Sequence, residues 1–258
     1  MNPADHIRGA WSDFLSAMQF LTRIPMPSRP YDGGSLARSV KFFPLVGLVV
    51  GGGAALLHLL LVAHLSRLAA AFALVLYSVL VTGGLHEDGL ADAADGFGGG
   101  SSREKILLIL RDSRIGSYGG LALVFSLLGR VILIASLPLT LVPCTLIAAN
   151  VLSRWTVLPL SYFLSPARTP ASVEVDGQGA RIARHTSTAA LIGGTIFSFA
   201  IAAALLRTRS VAPILGVMVL ACLTGAYYKK RIGGVTGDCF GATIQLAEIG
   251  CYLCGAWI

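Results

Sequence analysis

Long apolar runs alternate with short polar stretches along most of the chain. Seven runs stand out, at residues 44–64, 67–85, 118–139, 141–163, 189–206, 211–228 and 240–258. Each is close to the ~20 residues that an α-helix needs to cross the ~30 Å core of a bilayer. The runs are continuous, which excludes an outer-membrane barrel with its alternating strands. The pattern predicts an all-α fold, a polytopic membrane helix bundle of about seven transmembrane helices, with residues 1–258 as one domain.

The first 22 residues follow a different pattern. Apolar residues recur there at helical spacing, and the segment lacks the continuous apolar run of a cleavable signal peptide. These residues are Trp11, Phe14, Leu15, Met18 and Leu21. We expect an N-terminal interfacial amphipathic helix, which lies in the membrane surface or packs on the bundle.

Composition and charge agree with a membrane protein and indicate its orientation. The chain is 55% hydrophobic and 13% charged, with a mean hydropathy of +0.74. When the ends of the seven runs are assigned alternately to two sides, fifteen of the twenty Lys and Arg residues fall on one side. Three fall on the other, so the positive-inside rule makes the first side cytoplasmic, with the N-terminus and the 86–117 and 229–239 loops. The net charge of +7 therefore requires no nucleic-acid partner.

The most unusual polar stretch is GLHEDGLADAADGFGGG, residues 84–100, directly after an apolar run. In a helix, Asp88, Asp92 and Asp95 fall within about 60° of one another on one face. Two bare carboxylates about 4 Å apart repel by roughly 4 kcal/mol at an effective dielectric near 20, so the trio requires a cation. Oxygen ligands without nearby Cys favour Mg²⁺. The alternatives are a solvated acidic loop or a set of helix caps. Gly89, inside the acidic run, suggests that something approaches the backbone closely.

A second stretch, SSREKILLILRDSRIGSYGG at residues 101–120, combines arginines with glycines. Ser101 and Glu104 match a capping box, so Glu104 is expected to be structural. Arg111 and Arg114 flank Asp112 before the glycines. Arginine binds phosphate oxygens in bidentate fashion, and a glycine-rich turn lets backbone N–H groups approach an anion. The alternative is that these arginines extend to the interface and bind no ligand.

A third stretch, KKRIGGVTGDCFGATIQLAEIG, covers residues 229–250. Three cations, Lys229, Lys230 and Arg231, precede a Gly-Gly pair, and Thr236 or Asp238 is placed to cap the following helix. A helix start with free N–H groups behind glycines is a potential anion site.

The same helix contains an acidic residue within the last apolar run. Gly241, Gln245 and Glu248 fall on one side of it. Glu248 lies about 15 Å along from Asp238, a depth at which a charge facing lipid would be costly. It is therefore expected to face the bundle interior, either ionised beside a cation or protonated and hydrogen-bonded to a neighbouring helix.

Several other polar residues lie at or within the runs. Arg23, in FLTRIPMP, could contact a ligand phosphate or a lipid headgroup. Asn150 and Arg154, four residues apart, are expected to point inward together with Arg130, because unpaired intramembrane cations are rare. The five cysteines do not form a disulfide framework, and Cys251 and Cys254 are interpreted as small buried thiols.

Five motifs together resemble those of one family. FLTRIPMP, FFPLVG, TGGLHEDGLADAADGFGGG, RDSRIGSYGG and GGVTGDCFGATIQLAE occur in this order between Phe20 and Glu248. They are similar to the motifs of the adenosylcobinamide-GDP ribazoletransferase family, also called cobalamin synthase. The HEDGLAD run is the specific part of the resemblance. The segment from Pro166 to Ser187 matches no feature of the family.

The resemblance implies a Mg²⁺-dependent enzyme of the bacterial inner (plasma) membrane in the last steps of cobalamin (vitamin B12) biosynthesis. Such an enzyme joins adenosylcobinamide-GDP to α-ribazole, or its 5′-phosphate, and releases GMP. Membrane lipid surrounds it, and other enzymes of lower-ligand assembly are potential partners. In this reaction the protein and its metal stabilise charge on the pyrophosphate while an acceptor hydroxyl is oriented.

The candidate roles follow from that chemistry. Asp88, Asp92 and Asp95 are assigned to the metal with Glu87 in support, and His86 or an unliganded carboxylate to general base catalysis. The candidate catalytic residues are His86, Glu87, Asp112, Asp238 and Glu248. The candidate substrate-binding residues are Arg23, Arg111, Arg114, Arg154, Lys229, Lys230 and Arg231.

Two other functions are weighed against this one. A CDP-alcohol phosphotransferase also places spaced aspartates at a membrane surface, but Asp92 follows Ala91 where the DGxxAR motif of that family has Arg. A transporter would use Glu248, Arg130 and Arg154 as a charge relay near the middle of the membrane. Its polar residues would then lie within the spans, whereas this chain has its acidic cluster in a loop.

Overall fold

The computed structural model describes residues 3–27, 35–167 and 186–257, with no side-chain description for 3–7 and 35. Arg29, Arg168, Arg181, Arg184 and most of the 166–187 segment lie outside the described residues. Helices dominate the described ranges: α1 Pro3–Leu21, α2 Ser35–Ser39, α3 Phe43–Leu61, α4 Arg67–Thr82, α5 Leu85–Gly99, α6 Arg103–Ile109, α7 Ser117–Ser136, α8 Val142–Trp155, α9 Val157–Phe163, α10 Thr188–Leu206, α11 Val211–Ile232 and α12 Gly237–Ala256. The predicted all-α bundle is confirmed.

Four described helical stretches are long and apolar enough to cross a membrane: Leu36–Leu61, Ser117–Ser136, Thr188–Ile232 and Gly237–Ala256. α4 and α5, bent by 89° at their junction, qualify as a fifth when taken together as one broken span. The predicted count of seven is not confirmed, because the 67–85 run ends at this bend and the 141–163 run divides into α8 and α9. A multi-pass membrane helix bundle is the architecture.

The stretch containing α10 and α11 runs out and back. Tyr162 contacts Thr188 at the start of α10, and Pro166 pairs with Val235 just after α11. Both ends of the stretch therefore lie at the same end of the bundle, and the chain reverses at residues 207–210.

Close packing of α3 on α8 forms the centre of the bundle. A side chain at Gly47 or Gly51 would strike the backbone of α8 around Asn150 and Ile147, so these glycines allow the two helices to approach. Buried Val46, Val50 and Leu146 fill the same interface. α8 is consequently buried along most of its length, which accounts for its inward-facing polar residues.

α1 packs on the bundle, which was one of the two predicted placements. Leu15, Met18 and Leu21 are buried, whereas Trp11, on the same face but nearer the N-terminus of the helix, is 55% exposed. The ring of Phe20 stacks on Phe43 at the start of α3, with 5.8 Å between centroids.

Candidate active site

The turn that opens the acidic helix α5 depends on two glycines. Gly83 and Gly84 have φ angles of +66° and +72°, a left-handed conformation that favours glycine. Gly83 ends α4, and the chain turns by 89° into α5. The backbone N–H of Arg23 donates to the carbonyl of Val81 (2.6 Å), and its side chain lies against Gly83. Arg23 therefore lies at the N-terminal end of α5, as an exposed cation.

α5 and α12 cross with their backbones close together. A Cβ on Gly89 would lie 3.2 Å from the Cα of Gly241 and 3.2 Å from the carbonyl oxygen of Asp238. A Cβ on Gly241 would be equally tight against α5, 3.2 Å from the Cα of Gly89. The expectation that something approaches Gly89 is confirmed, and the neighbour is α12. This crossing brings the HEDGLAD and GDCFGA motifs together.

An acidic cluster forms where these two helices meet. Asp88 is exposed on α5, whereas Asp92 and Asp238, in the first turn of α12, are half-buried. α5 lies outside the four continuous stretches that are long enough to span a membrane, and is separated from α4 by the 89° bend. Burial raises the pKa of Asp92 to about 7, together with the negative charge of three neighbouring carboxylates. These belong to Asp88, Asp238 and Asp95. Negative charge is therefore concentrated around Asp92.

Asp95 has a role that its spacing did not predict. Its Oδ2 accepts from the backbone N–H of Gly116 (2.7 Å), and its Oδ1 accepts from that of Gly119 (2.9 Å). Asp95 thus binds the N-terminus of α7 and holds the loop that precedes it. Within the described ranges, no group of three His, Cys, Asp or Glu side chains is arranged to hold a metal ion. The assignment of Asp88, Asp92 and Asp95 to a metal stays a prediction, and both oxygens of Asp95 accept from backbone N–H groups in this arrangement.

Beneath the acidic helix lies a buried charge network. Arg130 on α7 is 1% exposed. Its Nη2 donates to Glu87 Oε1 at 2.7 Å, and its Nη1 lies 3.7 Å from Glu248 Oε1. Tyr252 donates to the same oxygen of Glu248 at 3.0 Å. The predictions that Glu248 and Arg130 face inward are confirmed, and Gly241 and Gln245 on the same helix as Glu248 are also buried. Tyr252, one turn after Glu248, was missed.

Arg154 and Asn150 extend the network into α8. Both are 1% exposed, which confirms the prediction that they point inward, and Arg154 donates to Asn150 Oδ1 at 2.8 Å. His86 is 3% exposed on the inner side of α5. Burial, with the nearby cations Arg154 and Arg130, holds the pKa of His86 well below its ordinary value, so its imidazole is neutral. Neither His86 nor Arg154 reaches the exposed face of the acidic cluster.

The loop between α6 and α7 contains two exposed arginines. Arg114 binds Asp112 through its backbone N–H and its guanidinium, with a shortest distance of 2.6 Å. This hydrogen bonding lowers the pKa of Asp112 to about 2, which makes that carboxylate a weak base. Arg111 is exposed beside them. The predicted capping box is wrong in register, because Ser102 caps α6 by accepting from the N–H of Lys105.

The cationic stretch ends α11. Lys229, Lys230 and Arg231 occupy its last turn, where positive charge is favoured by the helix dipole. Arg231 donates to the carbonyl of Gly100 at 2.9 Å and to Tyr227, so it links α11 to the end of α5, whereas Lys229 and Lys230 remain exposed. Thr236, one of the two predicted caps, accepts from the N–H of Cys239.

Arg103 was not singled out from the sequence. It donates to the carbonyls of Ile232 (2.9 Å) and Ala167 (2.7 Å) and joins α6 to the loop that leads into α12. The five cysteines are free thiols, and Cys239 and Cys251 are buried. The prediction of a buried thiol is confirmed for Cys251, whereas Cys254 is half-buried because it lines a cavity at the end of the bundle.

Comparisons with known proteins agree with this arrangement. The family model described as cobalamin-5-phosphate synthase (CobS) matches residues 13–256. An adenosylcobinamide-GDP ribazoletransferase from Sinorhizobium medicae is 42% identical, over 94% of this chain and 95% of the relative. Another from Azorhizobium caulinodans is 43% identical over 92% of each chain, and one from Polaromonas is 38% identical over 93% and 95%. No solved structure matches the chain.

The matched region includes all five motifs and the crossing of α5 with α12. From its sequence and these relatives, the chain belongs to the cobalamin-5-phosphate synthase family.

Proposed function

We propose that this protein is a Mg²⁺-dependent adenosylcobinamide-GDP ribazoletransferase. It joins adenosylcobinamide-GDP to α-ribazole or its 5′-phosphate, and the products are adenosylcobalamin or its 5′-phosphate and GMP. The relatives named for this activity support the reaction. The structural observation that supports it most is the acidic cluster of Asp88, Asp92 and Asp238, formed by helices from two distant motifs.

The reaction requires little covalent chemistry from the protein. A ribose hydroxyl oxygen forms a bond to the phosphorus that carries the cobinamide, the bond from that phosphorus to the GMP oxygen breaks, and the hydroxyl loses its proton. Charge develops on the oxygens between the two phosphorus atoms. The protein's main contribution is therefore to position both substrates and to stabilise this charge.

The acidic cluster fits a hard divalent cation. Burial and the neighbouring carboxylates together raise the pKa of Asp92, and all the available ligands are oxygens. Asp88 and Asp92 would hold Mg²⁺ with Asp238 facing them, and substrate phosphates and water would complete the shell. Bound there, Mg²⁺ would stabilise negative charge on the diphosphate. Asp95, which binds backbone amides, would support the site by ordering the adjoining loop.

Exposed cations beside the cluster would bind the phosphate groups. Arg23 lies at the start of α5, Arg111 and Arg114 belong to the loop that Asp95 holds, and Lys229 and Lys230 end α11. Arg154 is buried, and Arg231 donates to the backbone carbonyl of Gly100 at the end of α5, so we assign both to the structure of the site and not to the substrate.

A carboxylate of the cluster, and not His86, would accept the proton of the attacking hydroxyl. His86 is buried on the inner side of α5, out of reach of a substrate on the exposed face. Asp112 is bound to Arg114 and has a pKa of about 2, which makes it a poor proton acceptor near neutral pH. The carboxylates at the crossing of α5 and α12 remain as candidates.

The site would face the cytoplasm from the bacterial inner membrane. Six basic residues lie at the start of α5, in the α6–α7 loop and at the end of α11, namely Arg23, Arg111, Arg114, Lys229, Lys230 and Arg231. The turn at the opposite end of α10 and α11 contains Arg207 and Arg209, and the positive-inside rule places the more basic end on the cytoplasmic side.

Turnover in detergent micelles tests this function against its alternatives. The purified protein is given adenosylcobinamide-GDP, α-ribazole and Mg²⁺, and GMP and the corrinoid product are measured by chromatography. A transferase forms both products in equal amounts without a sealed compartment, whereas a transporter forms none. Release of CMP from a CDP-alcohol, with no GMP from the corrinoid, would support a phosphotransferase of the other class.

A further inference from the structure

A cavity of about 560 Å³ lies at the end of the bundle opposite the acidic cluster. It is lined by the start of α8, the turn between α10 and α11, and the end of α12. Asp238 and Trp257 are 19 residues apart on α12, which is about 29 Å at 1.5 Å per residue. That separation is close to the thickness of a bilayer core, so the cavity is distinct from the candidate active site.

The lining of the cavity is mostly apolar, and the cavity opens on the outer surface of the bundle. Leu141, Leu206, Pro213 and Leu253 contribute to it, and Leu253 is 54% exposed on the outer surface of the bundle. Water is unstable in apolar cavities, whereas an alkyl chain gains contacts there. The volume falls within the range of sites that bind small ligands. An alkyl chain of a lipid is the occupant that fits both the lining and the opening.

A cation lies where the headgroup of such a lipid would be. Arg209, in the turn between α10 and α11, lines the cavity and is exposed. No carboxylate of the described residues forms an ion pair with Arg209. Glu248 lies in the same half of α12 as the cavity, but its carboxylate is bound to Arg130 and Tyr252. Trp257, 83% exposed, lies at the same rim, and Trp is enriched at membrane interfaces.

The turn itself is strained. Arg207 has φ +53° and is the one non-glycine residue with a positive φ in the described part of the chain. Such backbone conformations persist where surrounding contacts enforce them, and they are concentrated at sites that hold ligands. Here the conformation ends α10 sharply, and both Leu206 and Arg209 line the cavity.

We propose that this cavity binds one anionic phospholipid, with an acyl chain between α8, α11 and α12 and its phosphate at Arg209. The lipid supplies the counter-ion that the described chain does not, and fills a space that would otherwise weaken packing of α11 on α12. The site is independent of the transferase reaction.

Lipid binding to the purified, delipidated protein in detergent tests the proposal. Phosphatidylglycerol or phosphatidylcholine with identical acyl chains is added, and bound lipid is counted by native mass spectrometry alongside the thermal unfolding midpoint. We expect one phosphatidylglycerol to bind saturably and raise the midpoint, with at least tenfold weaker binding of phosphatidylcholine.

Two variants separate the headgroup from the chain. Arg209→Gln is expected to reduce phosphatidylglycerol binding at least tenfold, to the level of phosphatidylcholine. Ala212→Phe, which fills the cavity, is expected to abolish saturable binding of both lipids. Lys105→Gln, an exposed cation at the other end of the bundle, is the matched control and retains wild-type binding. Equal binding of the two lipids, full binding by Arg209→Gln, or a dimer that displaces lipid from this face would overturn the proposal.

Discussion

Arg130 of α7 donates to Glu87 of α5 at 2.7 Å, in a position where the arginine is 1% exposed. Glu87 immediately precedes Asp88, so this ion pair fixes the inner side of the helix whose outer side presents the acidic cluster. Together with Arg154 and Glu248, it forms a buried set of two cations and two carboxylates, balanced in charge when both glutamates are ionised.

Arg130→Gln is expected to destabilise the protein strongly. It leaves Glu87 and Glu248 buried without their shared cation, and breaking a buried ion pair from one side typically costs about 3–5 kcal/mol. We expect this loss in the free energy of unfolding, measured by detergent denaturation. Lys230→Gln, an exposed cation, serves as the control and should leave unfolding unchanged. Equal stability of the two variants would show that the network contributes nothing to folding.

Glu248→Gln tests whether the network also affects the reaction. The change leaves the two buried arginines with one carboxylate. It also removes the negative charge of the Glu248 carboxylate, whose Oε1 atom is contacted by both Tyr252 and Arg130. We expect slower GMP release and a higher Mg²⁺ concentration for half-maximal rate, in protein shown by its melting curve to be folded. Glu104→Gln, at an exposed acid, is the matched control. A normal rate with an unshifted Mg²⁺ curve would restrict Glu248 to a structural role.

The raised pKa of Asp92 predicts how Mg²⁺ binding depends on pH. In the folded, metal-free protein Asp92 ionises near pH 7, compared with 3.8 in the unfolded chain, so stability falls as the pH rises between those values. Mg²⁺ requires the ionised carboxylate. Isothermal titration should show affinity falling about tenfold per pH unit below 7 and becoming constant above it, since one proton competes with the metal. Asp92→Asn should lose this dependence, whereas equal wild-type affinity at pH 6 and pH 8 would contradict it.

The sequence predicted the chemistry of the site better than its geometry. The clustering of carboxylates near Asp88 and the inward direction of Arg130, Arg154 and Glu248 could be inferred, because charge in an apolar helix has few stable placements. The partner of each charge could not. Arg130 and Glu87 are 43 residues apart, and only the packing of α7 on α5 brings them together.

Helix spacing alone also gave an incomplete account of Asp95. Its face of α5 is shared with Asp88 and Asp92, but the start of α7 lies against it and takes both of its oxygens. The count of spans depended on similar tertiary detail. Apolar content predicted a helix through residues 67–85, whereas the positive φ angles of Gly83 and Gly84 turn the chain by 89°.

The orientation of the protein is testable by cysteine labelling. Single cysteines at Thr208 and Ser113, both exposed, are introduced into a cysteine-free background and treated with a membrane-impermeant maleimide in right-side-out vesicles. The charge asymmetry predicts that Thr208→Cys is labelled and Ser113→Cys is protected until the vesicles are opened. Labelling of Ser113→Cys with protection of Thr208→Cys would reverse the assignment of the two sides.

The central claim is that Asp88 and Asp92 hold the cation for transfer of the cobinamide phosphate. The most direct measurement is GMP release from adenosylcobinamide-GDP by wild-type, Asp88→Asn and Asp92→Asn protein across a Mg²⁺ titration, with Glu104→Gln as the control. Loss of a metal ligand removes several kcal/mol of charge stabilisation, so each Asp variant should be slower by a factor of about 100 or more at saturating substrate. Wild-type rates and an unchanged Mg²⁺ dependence in both Asp variants would contradict the account.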